Sequence, residues 1–129
     1  MTVYISDEVN ELSHKVLDAA FAVHAELGPG LLESIYESAL AIEFETAGLK
    51  FERQKSQPVH YKGKVMDANL RLDFLVADEI VVELKAVEEI LPIHEAQLMT
   101  YLKLSKKHLG LLLNFNVTGL KQGIKRIVM

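Results

Sequence analysis

The chain switches between two hydrophobic periods, and the switches divide it into elements. Behind Ser6, a residue type that caps helices, the apolar positions Val9, Leu12, Val16, Ala20, Val23 and Leu27 recur at spacings of three and four. This predicts a first helix, ended by Gly28-Pro29-Gly30. A second helix is predicted from near Leu31 to about Ala47, with Glu33, Tyr36, Leu40, Phe44 and Ala47 in one arc and Gly48 as a left-handed stop. From Leu49 the period becomes two: Phe51, Arg53 and Lys55 alternate in a partly exposed strand, and Pro58 to Tyr61 leads into a Lys62-Gly63-Lys64 turn. Leu70 to Val76 reads as the next strand, Ala77-Asp78-Glu79 as a tight turn and Ile80 to Val87 as a further strand. Pro92 suits the first turn of a helix reaching about Ser105, Leu109 to Phe115 is an apolar strand, and Gly123 to Met129 alternates weakly. The order is helix, helix, three strands, helix, one or two strands. It predicts an α/β domain with a mixed sheet, and no repeat, linker or low-complexity stretch divides residues 1–129 into more than one domain.

Two of these strands carry charges where a buried strand carries none. Asp73 stands inside Leu70–Val76, and Glu83 and Lys85 stand inside Ile80–Val87. Val82, Leu84 and Ala86 point to one face while Val81, Glu83, Lys85 and Val87 point to the other, so neither face is simply polar. Burying a carboxylate and an ammonium there is costly unless they are paired, and a divalent cation is one such partner. Residues two apart on a strand are about 6.6 Å apart, so Glu83 and Lys85 share a face without close contact, as two roles at one substrate require.

Composition narrows the chemistry. With 129 residues the chain can bury roughly two-thirds of its unfolded surface. The absence of cysteine excludes disulfides, thiolate zinc sites and cysteine nucleophiles. Met1 to Glu8 lacks a basic region followed by an apolar core, and no apolar run approaches the ~20 residues of a membrane span, so a cytoplasmic location is expected. A net charge of −4 argues against a broad phosphate-binding surface, leaving local clusters at Lys103, Lys106 and Lys107 and at Lys121, Lys125 and Arg126.

The segment Gly30-Leu31-Leu32-Glu33-Ser34-Ile35-Tyr36 has the pattern Gly-x-x-Glu-x-x-Tyr. It is followed in order by Arg71-Leu72-Asp73-Phe74, Val82-Glu83-Leu84-Lys85-Ala86-Val87, the stretch His94 to Lys103, and Asn114-Phe115-Asn116-Val117. Together these resemble the GxxExxY protein family, which is grouped with the PD-(D/E)XK nuclease-like superfamily. The resemblance runs from about Val9 to Val128. It implies a restriction-endonuclease-like α/β core, a mixed central sheet flanked by helices, and Mg²⁺-dependent hydrolysis of DNA phosphodiesters. By the same resemblance Asp73 is the first acidic ligand, Glu83 the second, Lys85 the lysine beside it, Glu33 the acid on the preceding helix and Gln97 the polar residue on the following helix. Leu72 stands where the superfamily motif has proline.

Mg²⁺ takes oxygen ligands and keeps several waters, so Asp73, Glu83 and the backbone carbonyl of Leu84 suffice as a protein contribution, with Glu33 completing the shell directly or through water; Mn²⁺ is the alternative ion. Without a metal, two carboxylates about 5 Å apart repel by roughly 3 kcal/mol at an effective dielectric near 20. Lys85 is expected to position and stabilise charge, and Gln97 to hydrogen-bond the attacking water or a carboxylate; His94, Gln97 and Tyr101 share an arc.

Plainer roles compete. Glu33 suits a helix N-terminus on dipole grounds, three residues after a Gly30 cap. Tyr36 reads as a core aromatic with a bonded hydroxyl, His24 and His94 as structural or partner-binding, and Gly28-Pro29-Gly30 as a turn without the Lys-Ser/Thr of a phosphate loop. The functional expectation is a nuclease acting on DNA or RNA. Its alternatives are an inactive binding or scaffold protein on the nuclease fold and a phosphodiesterase for small nucleotides. A chain this short covers little duplex, so a homodimer or a partner subunit is expected, with the interface on Leu109–Phe115 or the first helix.

Overall fold

The computed structural model describes residues 4–129. The reading of Met1 to Val3 falls outside them. Helix α1 spans Asp7–Leu27 and α2 Glu33–Thr46; strands β1 Phe51–Tyr61, β2 Lys64–Val76 and β3 Ile80–Lys85 follow, then α3 Pro92–Ser105, β4 Leu109–Asn114, a short 3-10 turn at Leu120–Gly123 and β5 Ile124–Val128. The five strands lie in the order β1-β2-β3-β4-β5, antiparallel except for the parallel pair β3–β4, whose crossover is α3. This is the mixed sheet that the pattern predicts, and it is consistent with the restriction-endonuclease-like core that the family resemblance implies.

Apolar residues coat both faces of the sheet. Phe74, Val76, Val82, Leu84, Leu111 and Leu113 pack against α1 and α2, whereas Leu72, Leu75, Val81 and Leu112 pack against Leu98 and Leu102 of α3. Strict alternation would put Leu72 and Phe74 on one face. They lie on opposite faces, so the strand changes its aspect at Asp73.

Several boundaries differ from expectation for local reasons. Helix α2 opens at Glu33 with Leu32 as its N-cap, not Gly30, whose amide instead donates to Asn116 Oδ1 at 3.1 Å. β3 stops at Lys85 because Asn114 takes over the next backbone groups: the Val87 amide donates to Asn114 Oδ1 at 3.0 Å, and Asn114 Nδ2 donates to the Val87 carbonyl at 2.9 Å. β2 begins six residues before Leu70, at Lys64. The sequence signal is weak there because Tyr61 to Asn69 is exposed throughout, and period-two alternation appears only when one face is buried. The interface expected on Leu109–Phe115 is overturned, since β4 lies between β3 and β5 and is buried along its whole length.

Gly123 is required by proximity, because a Cβ there would lie 2.1 Å from the Asn114 carbonyl oxygen. Tyr36 fixes the loop before α2. Fully buried and stacked on Phe115, it donates to the Gly28 carbonyl at 2.6 Å and accepts from the Leu31 amide at 3.1 Å. His24 is bound to the Val117 carbonyl, and His94 Nδ1 accepts the Leu91 amide at the start of α3; both are structural. Tyr36→Phe should therefore lower stability by about 1–2 kcal/mol in urea unfolding, because two backbone groups lose their partner. An unchanged unfolding midpoint would contradict this role.

Candidate active site

The site forms where β2 and β3 part. Their ladder runs from Val76↔Ile80 to Phe74↔Val82, and the next facing residues in that register are Asp73 and Glu83. There the side chains take over the ladder. The Asp73 amide donates to Glu83 Oε1 at 3.1 Å, and the Leu84 amide donates to Asp73 Oδ2 at 2.9 Å. Two carboxylates thus satisfy backbone donors that strand carbonyls would otherwise meet, and no buried side-chain polar atom among the described residues lacks a partner.

This placement brings the two carboxyls together inside the protein. Glu83 is buried and Asp73 half-buried. Burial first, then the Asp73 charge, pushes Glu83 up to about 9; a hydrogen bond between the two side chains adds to the rise, while the Asp73 amide and Lys85 oppose it. At neutral pH Glu83 therefore keeps its proton. Glu33, the first residue of α2, is also raised, by desolvation of its carboxyl, by Asp73 and by Glu37, with Lys85 acting against them. The helix-dipole role and the site role fall on the same residue. Lys85 follows Glu83 on the same face of β3, half-buried, and forms no ion pair among the described residues. Arg71 is exposed and likewise forms none, so among the described residues the carboxylates are not one half of buried ion pairs.

Four further residues join the site: Gln54, Glu37, Arg53 and Tyr101. Gln54 stands in β1 opposite Asp73 with φ of 51°, a left-handed conformation that is rare for a side-chain-bearing residue. From there its amide reaches Asp73 Oδ1 at 3.3 Å and also bonds Glu37 Oε1. Glu37 is in turn paired with Arg53 at 2.8 Å. Tyr101 of α3 is held protonated by partial burial and by the charges of Glu83 and Asp73. Its hydroxyl oxygen accepts from Gln97 at 3.0 Å, which leaves its proton free to donate. Gln97 thus enters one step removed from the carboxylates, through Tyr101. The spacing of Glu33 and Glu37 by four on one helix was the available signal for the acidic cluster; nothing in the sequence marks the φ of Gln54.

The acids number four, Glu33, Glu37, Asp73 and Glu83, against the cations Lys85 and Arg53, which is an excess of oxygen donors suited to a hard cation. Among the described residues, no three His, Asp or Glu side chains converge closely enough to enclose an ion on their own. Asp73 and Glu83 could offer two oxygen ligands to a divalent cation, with waters or backbone carbonyls as the others.

A carboxyl raised from 4.5 to about 9 gives stability that is full at pH values below 4.5 and is lost as pH rises through 9, because only the folded state keeps the proton. In EDTA the melting temperature should therefore fall over that interval, and Glu83→Gln should flatten the decline. A variant with the wild-type slope would contradict the protonated carboxyl.

The family model for the PD-(D/E)XK nuclease superfamily matches residues 10–127. No curated protein and no solved structure matches the chain. Among the described residues no helix is long and apolar enough to cross a membrane. The family match covers nearly the whole chain, including every element that builds the Asp73–Glu83 site, and the protein belongs to the PD-(D/E)XK nuclease superfamily.

Proposed function

We propose that the protein is a metal-dependent nuclease that hydrolyses phosphodiester bonds of DNA, with RNA as the alternative polymer. The observation that carries the reading is the Asp73–Glu83 pair: two adjoining carboxyls, Glu83 buried and Asp73 half-buried, with no ion-pair partner among the described residues. Such a pair stores repulsion that a proton relieves partly and a divalent cation relieves fully. Asp73, Glu83, the Leu84 carbonyl and, directly or through water, Glu33 would hold Mg²⁺ or Mn²⁺. A bound ion at this position supplies charge neutralisation for phosphoryl oxygens and a more acidic water.

The protein's own groups do the positioning. Gln54 holds Asp73 in place through Oδ1 while the Leu84 amide holds Oδ2. Lys85 brings an unpaired ammonium beside the carboxylates, where it meets the negative oxygens of a phosphodiester and orients the attacking water. Tyr101, locked by Gln97 and protonated, offers a hydroxyl proton on the α3 side.

The competing reading is the same fold binding without cutting. It is favoured by the absence, among the described residues, of three acidic side chains converging on one point. Incubation with plasmid, single-stranded DNA, RNA and dinucleotides in Mg²⁺, Mn²⁺ or EDTA separates the two. We expect cleavage that EDTA abolishes, and a melting temperature raised by millimolar Mg²⁺ in the wild type but not in Asp73→Ala. Lys85→Ala should keep the Mg²⁺-linked stabilisation while losing roughly a hundredfold or more in rate. No cleavage of any substrate, with no difference between wild type and Asp73→Ala in Mg²⁺ response, would establish the non-catalytic reading.

A further inference from the structure

The long β1–β2 hairpin is not used by the site beyond its base. Only Phe74 to Val76 of β2 pair with β3, so from Lys64 to Leu72 the strand has β1 as its one partner. The result is a free two-stranded arm, turned at Lys62-Gly63, both with positive φ, as a tight hairpin turn requires. Every residue from Tyr61 to Asn69 is exposed. At about 3.3 Å per residue the arm carries its tip up to about 30 Å from Asp73, close to one turn of a duplex.

Its charge is opposite to that of the rest of the chain. Residues 56–71 contain Lys62, Lys64 and Arg71 against Asp67, so the chain's −4 divides into +2 on the arm and −6 elsewhere. None of the three cations forms an ion pair among the described residues. Tyr61 and Lys64 stand across from each other on one face of the ribbon, and His60 and Val65 across from each other on the next, so both faces present contact groups. Tyr61 is 62 % exposed, with the Lys62 ammonium 5.5 Å from its ring centre. A register shift between Pro58 and His60 adds residues to β2 and increases the local twist.

We propose that this arm is a nucleic-acid-binding ribbon that lies in the major groove of B-form DNA and holds the duplex across the candidate active site. The inference rests on the nuclease reading for the identity of its ligand. A two-stranded ribbon fits a groove about 12 Å wide, whereas the major groove of A-form RNA is too narrow for it. Single strands call for a groove with successive aromatic platforms, and the arm has one exposed tyrosine ring near its tip. Unpaired lysines on a protruding ribbon contact phosphates on both walls of the groove, which explains how a chain with net negative charge approaches a polyanion.

The test is equilibrium binding of a fluorescent duplex of about 25 base pairs in EDTA, read by anisotropy over a range of salt concentrations, beside a single strand and an RNA duplex. Lys62→Ala/Lys64→Ala should weaken duplex binding about tenfold and reduce the slope of log affinity against log salt by about 2. Asp67→Lys should tighten duplex binding and steepen that slope, a gain that misfolding cannot imitate. Hydrolysis of a small phosphodiester, bis(p-nitrophenyl) phosphate, should be unchanged in both variants. Unchanged duplex affinity and slope in the variants, an equal effect on single strands or RNA, or no duplex binding by the wild type would each overturn the proposal. Arm-dependent binding without cleavage of any substrate would retire the nuclease reading and leave the arm standing, whereas cleavage indifferent to the arm variants would do the reverse.

Discussion

The structure turns on one substitution of chemistry for geometry: at Asp73 and Glu83, carboxylate oxygens replace strand carbonyls as acceptors for backbone amides. A normal ladder step at this point would have kept the two strands flat against each other. Parting them instead lets Leu72 face α3 while Phe74 faces α1 and α2, so one strand supplies both halves of the core. Amide donors hold the carboxylates in place at each end. Burial of the Glu83 carboxyl, and after it the Asp73 charge, raises its protonation range in the folded state.

Around that junction the remaining elements act as supports. The buried Asn114 clamps the chain leaving β3, and Asn116 ties the Gly30 loop to the same region through its amide and carbonyl oxygen. Tyr36 fixes the turn before α2, which sets where Glu33 opens the helix. The tyrosine and the asparagines of the sequence motifs thus bear on the site without touching the carboxylates. Their work is to hold α2, the β3 exit and the β4 exit in one fixed arrangement, on which the position of Glu33 relative to Asp73 depends.

What the sequence revealed follows from what each signal measures. Charged residues inside apolar strands are conspicuous, so Asp73, Glu83 and Lys85 were legible, as was the order of elements. Helix periodicity located α1 to within a residue at its start, because Val9, Val16, Ala20 and Val23 lie along one packed stripe. Gln54 was not legible, and Glu37 only as an acid four residues after Glu33, since their part depends on a left-handed backbone at Gln54 and on long-range packing of α2 against β1. The distal arm was missed for a different reason. A ribbon wet on both faces has no hydrophobic alternation to read, and only its turn residues marked it.

The central claim is that Glu83, beside Asp73, keeps a proton that a divalent cation would displace. Carbon-13 NMR of the labelled Glu83 side-chain carboxyl at neutral pH tests it directly, with and without Mg²⁺. The account predicts a protonated carboxyl in EDTA that becomes ionised when Mg²⁺ is added, with no such change in Asp73→Ala. A Glu83 carboxyl that is already ionised in EDTA and indifferent to Mg²⁺ would contradict it.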